Sequence, residues 1–292
     1  MTPSVSVVIP AYNAEPFLKD ALDSVLRQSH LPSEILVVDD GSTDETGRLA
    51  ASMSGVRCIH QPNSGVSAAR NRGVEEARGQ LVALLDADDV WDTDKLAVQI
   101  SGLRDGQFAY SARTETDEQL NPIGIVQSDR RTPLLEGLLF HGNVVGTPSS
   151  VMAPREALLQ AGGFDPKLSM CADWDMWIRL ATRLSGVYSE KPLVFYRIRG
   201  SSMSTNLKIY ESDSQYMLQK AFALALPANM VARRTEAESR MWEVLAGKTP
   251  EGEATDGKYA KKFAHLSAAD RLAIREILTE TLPDLPGYWR AK

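Results

Sequence analysis

The stretch LVALLDADD, residues 81–89, places three carboxylates directly after a short apolar run. Such a run is typical of a buried strand, where an ionised carboxylate is costly unless it is paired or bound to a cation. Asp86 and Asp88 lie two residues apart, so on an extended segment their side chains project from the same side. Two convergent carboxylates suit a divalent cation shared with phosphate oxygens. A turn and helix cap after a strand would explain the same aspartates.

Strand-like and helix-like segments alternate through the first hundred residues. The apolar and turn patterns predict strands at residues 5–9, 35–38, 56–60 and 81–85 and helices at 16–26 and 67–77. Repeated β-α-β units with continuously apolar strands indicate a mainly parallel sheet covered by helices. Ligands of such sheets bind beyond the carboxyl ends of the strands, where Asp39, Asp40 and Asp86 fall.

The alternation is looser after about residue 105. Strands are predicted at 108–113 and 193–198, and helices at 134–140, from about 154, and at 173–184. From residue 206 the pattern is helical, with a linker at 249–257 and a capping box at Ser267. The predicted fold class is therefore α/β with a helical C-terminal extension.

Composition and charge exclude several classes of protein. The chain has 43% hydrophobic and 24% charged residues, as an ordinary soluble globular protein does. Its net charge of −6 argues against nucleic-acid binding. Two distant cysteines without metal-ligand spacing indicate a reducing, cytoplasmic compartment. The sequence shows neither a signal segment nor the roughly 18 apolar residues that would span a bilayer, so attachment to the inner face of a membrane is the closest membrane association expected.

Seven short motifs follow one another in the order VSVVIPAYN (5–13), EILVVDDGSTD (34–44), NSGVSAARNRG (63–73), LDADDVW (85–91), GGFD (162–165), DWDMW (173–177) and YRIR (196–199). In this order and spacing they resemble glycosyltransferase family 2, over roughly residues 4–205. Each motif alone is weak, whereas the ordered set is specific. The resemblance implies a GT-A fold, which is a Rossmann-like, mainly parallel sheet flanked by helices. It also implies transfer of a sugar from a nucleotide donor with inversion at the anomeric carbon, and dependence on Mg²⁺ or Mn²⁺.

The resemblance also implies a division of the chain and a set of partners. Residues 1–105 would form the nucleotide-sugar-binding half of the GT-A domain, 106–205 the acceptor-binding half, and 206–292 the C-terminal extension. The donor would be a nucleotide sugar, with a UDP-sugar favoured, and the acceptor a saccharide, a lipid-linked sugar or a protein. Lys258, Lys261 and Lys262 could form a patch for peripheral membrane association, but a solvated helix face is the favoured explanation.

The nucleoside pocket would be formed by residues that follow the first two strands. The resemblance assigns its shape to Pro10, Ala11, Tyr12 and Asn13, for which a plain turn after the strand is the structural alternative. Asp40 matches the carboxylate that accepts a hydrogen bond from the nucleobase, and a uracil N3–H is a suitable donor. A helix cap is the alternative role for Asp40, and a structural role is favoured for Asp39.

Asp86 and Asp88 resemble the DxD element of the family. Asp88 would be a direct metal ligand, whereas Asp86 would bind the ribose or reach the metal through water. Asp89 is interpreted as a helix cap. The metal would neutralise charge as the nucleoside diphosphate leaves. Arg70 would contact phosphate or pair with the acidic cluster, and a structural ion pair with Asp86 or Asp88 is its alternative role.

Asp173 matches the general base, which would take the proton from the acceptor hydroxyl, although it could instead cap its helix. The family carries Glu before this Asp, whereas this chain has Ala172, which brings acceptor binding into question. Arg199 stands where relatives often carry a His that contacts metal or diphosphate. A guanidinium cannot ligate a metal but can contact phosphate, so Arg199 with Ser201 or Ser202 is expected to close over the diphosphate. A flexible charged loop is the alternative.

Three other functions compete with sugar transfer. A sugar nucleotidyltransferase would carry a Gly-rich, basic phosphate loop after the first strand, and an oxidoreductase would carry G-x-G-x-x-G there, where this chain reads Pro-Ala-Tyr-Asn. A non-catalytic sugar-nucleotide or partner-binding module stays open because of Ala172 and Arg199. The four aspartates of the motif set count against it. The expected function is an inverting glycosyltransferase with a metal on the diphosphate and Asp173 as base.

Overall fold

A computed structural model describes residues 2–128, 131–199 and 207–245. Its first part contains β1 Val5–Ala11, α1 Glu15–Leu26, β2 Glu34–Asp39, α2 Thr46–Ser52, β3 Val56–His60, α3 Val66–Glu76 and β4 Leu81–Leu84. Its second part contains β5 Val90–Trp91, α4 Lys95–Gly102, β6 Gln107–Thr116, β7 Pro122–Val126, α5 Leu134–Phe140, β8 Met152–Pro154, α6 Arg155–Gln160, α7 Ala172–Ala181 and β9 Ser185–Arg197. Three helices follow, which are α8 Leu207–Phe222, α9 Ala228–Val231 and α10 Arg234–Leu245.

One sheet runs through the molecule in the strand order β3-β2-β1-β4-β8-β6-β9-β5, and β7 pairs with β6 at its side. The first four of these strands are parallel to one another. Beyond them β8 is antiparallel to β4, and β6 is parallel to β9. The predicted α/β fold is confirmed. The carboxyl ends of β1, β2 and β4 meet at one edge of the sheet, and Asp40 and Asp86 follow β2 and β4 there.

Each side of the sheet is covered by its own hydrophobic core, because side chains alternate along a buried strand. On β1, Val8 packs into one core, whereas Val7 and Ile9 pack into the other. Helix α1 contributes Leu18 to the second core, and α7 contributes Trp177 to the first. A strand covered on both sides is apolar at every position, which explains why the first strands could be recognised as continuous apolar runs.

The element predictions for the first half are confirmed, with bounds that shift by one or two residues. In the second half β9 begins at Ser185, well before the predicted start at 193. Its first residues are held mainly by backbone pairing with β6 and alternate little in exposure, so they give no strand pattern. Strand β7 was not predicted because its residues are almost all exposed. The predicted linker, capping box and lysine patch lie outside the described residues, and so do Ser201 and Ser202.

None of the described helices combines the length and the apolar character that crossing a membrane would require.

Candidate active site

Asp86 lies just beyond β4 and is held from two directions. Its Oδ1 accepts a hydrogen bond of 2.7 Å from Arg70 Nη2 on α3, and its backbone N–H donates to Ser149 Oγ at 3.0 Å. Arg70 is buried, lies over the Phe164 ring at 5.4 Å, and leaves its Nε without a hydrogen-bond partner among the described residues. The structure thus contains the Arg70–Asp86 ion pair, and a contact between Arg70 and phosphate stays a prediction.

Asp88 faces a second arginine. Its Oδ2 lies 2.7 Å from Arg199 Nη2, and the Arg199 guanidinium lies 5.0 Å from the centre of the Phe17 ring. Burial and the neighbouring charge of Asp86 raise the pKa of Asp88, while Arg199 lowers it. Arg199 is therefore not part of a free loop, since it occupies the position of a counter-ion to the carboxylate assigned to the metal.

Asp89 does not cap a helix, and that interpretation is wrong. The short strand β5, and not a helix, follows Asp89 directly, and the Asp89 side chain is almost fully buried. Oδ2 accepts a hydrogen bond of 2.6 Å from Ser149 Oγ, and Oδ1 accepts one of 3.0 Å from the backbone N–H of Arg197. Burial and the nearby charges of Asp88 and Asp86 raise the pKa of Asp89. Asp89 therefore ties the acidic loop, which is residues 85–89 between β4 and β5, to β9 and to the turn at Ser149.

Arg197 braces the same loop and was not assigned a role from the sequence. Its Nε donates to the backbone carbonyl of Asp88 at 2.8 Å, and its Nη2 lies 3.0 Å from Asp20 Oδ2 on α1. Its guanidinium lies 4.9 Å from the centre of the Phe17 ring. Arg197 and Arg199, which flank Ile198 in the YRIR motif, both lie against the Phe17 ring. Arg197 binds the backbone of the loop at Asp88, and Arg199 binds the Asp88 carboxylate.

Asp173 is the second residue of α7, beside the acidic loop. Its Oδ1 accepts a hydrogen bond of 2.7 Å from the backbone N–H of Trp174, and its Oδ2 accepts one of 3.1 Å from Asn143 Nδ2. Burial raises the pKa of Asp173 to about 6, with Arg70 lowering it and Asp86 raising it further. The N-cap of α7 is Cys171, so Asp173 does not cap this helix. A carboxyl that titrates near neutrality is suited to proton transfer.

Ala172 accounts for the departure before Asp173 in structural terms. Its side chain is buried in the hydrophobic core that also contains Trp174 and Trp177. In this chain, a carboxylate at position 172 would lie in apolar surroundings and would be costly to ionise.

Asn143 is a site residue that sequence reasoning missed. Its Oδ1 accepts a hydrogen bond of 3.0 Å from the backbone N–H of Gly146. Its Nδ2 donates one hydrogen bond of 3.1 Å to Asp173 Oδ2 and another of 3.2 Å to the Gly146 carbonyl. The loop bends tightly at Gly146, where φ is +83° and an added Cβ would lie 2.5 Å from Arg113 Nη1. The glycines that flank Asn143 were the available signal, but only proximity to Asp173 shows its role.

The stretch Pro10 to Asn13, which ends β1 and begins the loop after it, has buried and exposed members. Pro10 and Ala11 are buried within the strand, whereas Tyr12 is 52% exposed. Asn13 adopts a φ of +46°, and its Oδ1 accepts a hydrogen bond of 2.9 Å from the backbone N–H of Thr43. Asn13 therefore joins the loops that follow β1 and β2 and leaves Tyr12 accessible. Contact between these residues and a nucleoside stays a prediction.

Asp40 is buried and fastens the loop after β3. Its Oδ1 accepts hydrogen bonds from Gln61 Nε2 and from the backbone N–H of Ser64 at 2.7 and 2.9 Å, and its Oδ2 accepts one of 2.8 Å from the backbone N–H of Gly65. The structure thus gives Asp40 a definite structural role, and its hydrogen bond to a nucleobase stays a prediction. Asp39 accepts from Ser42 N and contacts His60 Nδ1, in agreement with its expected structural role.

The acidic loop fits a divalent cation in its donor chemistry. Asp86 and Asp88 offer carboxylate oxygens, which Mg²⁺ and Mn²⁺ prefer, and burial beside Asp86 raises the pKa of Asp88 in spite of its pairing with Arg199. Across the described ranges, no three His, Cys, Asp or Glu side chains are placed to hold a metal together. Two carboxylates would leave coordination positions of such an ion open to other oxygen ligands.

Comparison with known proteins places these features in a family. The sequence model of Glycosyl transferase family 2 matches residues 6–160, more than half of the chain. The putative teichuronic acid biosynthesis glycosyltransferase TuaG of Bacillus subtilis is 33% identical over 214 residues, which cover 70% of this chain and 82% of that protein. An uncharacterized glycosyltransferase of Rickettsia felis is 30% identical over 203 residues, or 68% of this chain and 33% of that protein. The chain thus spans about a third of the length of that relative.

Two solved structures share the fold. S. aureus TarS 1-349 in complex with UDP matches with a TM-score of 0.66 and 18% identity, over 98% of this chain and 87% of that one. The mannosyltransferase PcManGT from Pyrobaculum calidifontis, in complex with GDP-Man and Mn²⁺, matches with a TM-score of 0.62 and 17% identity, over 99% and 83%. At 17–18% identity these likenesses bear on the fold alone, and the expected GT-A fold is confirmed.

Proposed function

The chain belongs to glycosyltransferase family 2, and we propose that it transfers a sugar, with inversion, from a UDP-sugar to an acceptor hydroxyl in polysaccharide or glycoconjugate biosynthesis. The observation that carries the proposal is the grouping of the acidic loop and Asp173 around Arg70. Arg70 pairs with Asp86 and lowers the pKa of Asp173, so the donor cluster and the base share one site. The UDP complex of TarS and the name of TuaG support the donor and the pathway class.

In this proposal the donor is bound at the carboxyl ends of the first parallel strands. Pro10, Ala11, Tyr12 and Asn13 shape the nucleoside pocket, and Tyr12 is the exposed side chain among them. Asp40 accepts a hydrogen bond from the nucleobase, for which a carboxylate with two oxygens has lone pairs beyond the three hydrogen bonds it already accepts.

The diphosphate would lie against Asp86, Asp88 and the two arginines that pair with them. Asp88 would hold Mg²⁺ or Mn²⁺, and Asp86 would bind the ribose or reach the ion through water. When bound, such an ion supplies positive charge to the leaving nucleoside diphosphate. Arg70 and Arg199 are close enough to these carboxylates to contact phosphate oxygens after a small movement.

Asp173 would accept the proton of the acceptor hydroxyl as that oxygen attacks the anomeric carbon. Asp173 as a whole residue is half-buried, and Asn143 donates a hydrogen bond that fixes one of its carboxylate oxygens. A non-catalytic module is the remaining alternative, but the buried Ala172 fills a core position and leaves the base in place.

The rate should depend on pH through Asp173. Because its pKa is raised to about 6, the ionised base predominates only above that value, and kcat/KM should rise with pH through about 6. Asn143→Leu removes a hydrogen bond that favours the ionised form, so this rise should move to higher pH by roughly half a unit to one unit. Initial rates across the pH range measure the shift, with Gln119→Leu on the exposed β6–β7 turn as control. An unchanged profile in Asn143→Leu would show that Asn143 does not act on the base.

Arg199→Ala should weaken UDP binding about tenfold, because a hydrogen bond to a charged phosphate is worth about 1.5–3 kcal/mol. Calorimetric titration of UDP in the presence of Mn²⁺ measures the change. Arg72→Ala, which removes an exposed arginine that pairs with Glu76 on α3, is the control. If Arg199→Ala binds UDP as the unmodified protein does, Arg199 does not close over the diphosphate.

A thermal-shift screen of nucleoside diphosphates and sugar nucleotides, each with and without Mn²⁺, tests the proposed function. We expect one sugar nucleotide and its diphosphate to raise the melting temperature only with the metal, because ligands that bind the folded state stabilise it. That result would also identify the donor. No shift with any nucleotide would favour the partner-binding module.

A further inference from the structure

Helix α8 presents one face to the segment that carries the proposed base. Asp213, Tyr216, Met217 and Lys220 recur at spacings of three and four residues, so their side chains lie on the same side of the helix. Met217 is buried in the core that also contains Trp177 of α7. The polar members of the face all bind residues between 165 and 175.

Asp213 makes the most extensive of these contacts. Its Oδ2 accepts hydrogen bonds from the backbone N–H groups of Ser169, Met170 and Cys171, at 2.7, 2.6 and 3.2 Å. Its side chain is almost fully buried. Cys171 is the N-cap of α7, and its own side chain makes no capping hydrogen bond. A carboxylate from another helix therefore binds the N–H groups that lead into α7, where negative charge is also favourable.

Lys220 holds the same segment on either side of Asp173. Its Nζ lies 2.6 Å from Asp165 Oδ2 and 3.0 Å from Asp175 Oδ1. The Tyr216 hydroxyl adds a hydrogen bond of 3.3 Å to Asp165 Oδ2. The chain entering α7 and the first turn of α7 are thus both fixed to α8.

We propose that Asp213 is a positioning residue for sugar transfer, acting through the backbone of residues 169–171 to hold Asp173 beside Arg70 and Asp86. The proposal rests on the function assigned above to Asp173. Through Asp213, helix α8 would contribute to the reaction although it lies beyond the family motifs. The effect can be large, because a displacement of about 1 Å at a reacting group can cost about a hundredfold in rate. Donor binding should not depend on Asp213, because its hydrogen bonds go to residues 169–171, whereas the donor residues lie at the ends of β1 and β2, on α3, in the acidic loop and just after β9.

Three variants test the proposal, which are Asp213→Ala, Asp213→Asn and the control Glu211→Gln on the same helix. We expect Asp213→Ala to lower kcat by about ten- to a hundredfold while UDP affinity stays within about twofold. Asp213→Asn keeps a carbonyl oxygen that still accepts hydrogen bonds from these N–H groups, though more weakly than the carboxylate does, so it should lose only about threefold. Hydrogen exchange followed by mass spectrometry should show faster exchange of the 169–171 amides in both variants and unchanged exchange in Glu211→Gln.

Transfer by Asp213→Ala at the rate of Glu211→Gln would overturn the proposal, as would a loss of UDP affinity as large as the loss of kcat. If Asp213→Ala does not fold, Asp213→Asn decides, because a rate and an amide exchange equal to those of Glu211→Gln would also overturn it. Asp173→Asn is assayed in parallel. If that variant transfers sugar normally, the assigned base is wrong; if it is inactive while Asp213→Ala is fully active, only the positioning role fails.

Discussion

Asp173→Asn should lower the rate of sugar transfer by about 10²- to 10⁴-fold, the usual contribution of a general base, and leave donor binding intact. The amide keeps the size of the side chain but cannot take the acceptor proton. Asp173 also lies on α7, whereas the residues assigned to the donor lie at the ends of β1, β2 and β4, on α3 and just after β9. Initial rates of transfer, combined with calorimetric UDP binding, separate the two effects.

Asp105→Asn, the same substitution at an exposed aspartate, is the matched control. Folding should not confuse the result, because the pKa of Asp173 is raised in the folded state. Its ionised form is therefore disfavoured by folding above about pH 6, and an amide at this position should not reduce the free energy of unfolding at pH 8. Rapid transfer by Asp173→Asn would eliminate the assigned base, whereas lost UDP binding would move Asp173 into the donor site.

Asp88→Asn should abolish metal-dependent nucleotide binding, raising the Kd for UDP in Mn²⁺ by roughly a hundredfold, or about 2.7 kcal/mol. An amide is a weaker ligand for a hard cation than a carboxylate, and the diphosphate would lose the charge that the cation brings. The variant should remain folded, because the Asp88–Arg199 ion pair is partly exposed and contributes little stability.

Calorimetric UDP titrations in Mn²⁺ and in EDTA, on this variant and on Asp105→Asn, measure the effect of Asp88. The control should bind UDP as the unmodified protein does in both conditions. A Kd for Asp88→Asn in Mn²⁺ equal to that of the control would remove Asp88 from the metal site.

The first half of the fold could be predicted because β1, β2 and β4 are covered on both sides, so that nearly every position is apolar. The same continuity places Asp40 and Asp86 immediately after strands, where parallel topology brings the strand ends together. The ordered motifs supplied the family. Strand β7 gave no comparable signal because Ile123 and Ile125 are exposed to solvent. Without packing against a core, the residues of this strand need not be apolar at every position.

The Arg70–Asp86 ion pair was foreseen as an alternative role of Arg70, but other side-chain partners in the site could not be predicted, because they join residues far apart in the chain. Asp88 pairs with Arg199, and Asp173 with Asn143, across separations that no local pattern records. Asp89 was misinterpreted for a related reason, since an Asp before a turn resembles a cap until the buried Ser149 hydroxyl is seen beside it. Asp213 lies on a helix beyond the recognised motifs, and only packing against α7 shows its contacts.

Binding of UDP to the unmodified protein, measured by calorimetry with Mn²⁺ and again with EDTA, tests the central claim most directly. The arrangement of Asp86, Asp88 and Arg70 predicts one UDP per chain in Mn²⁺ and an affinity at least about tenfold weaker in EDTA, a difference of about 1.4 kcal/mol. Equal affinity in both conditions would contradict the metal-bound diphosphate. Absence of UDP binding in either would contradict the UDP-sugar donor itself.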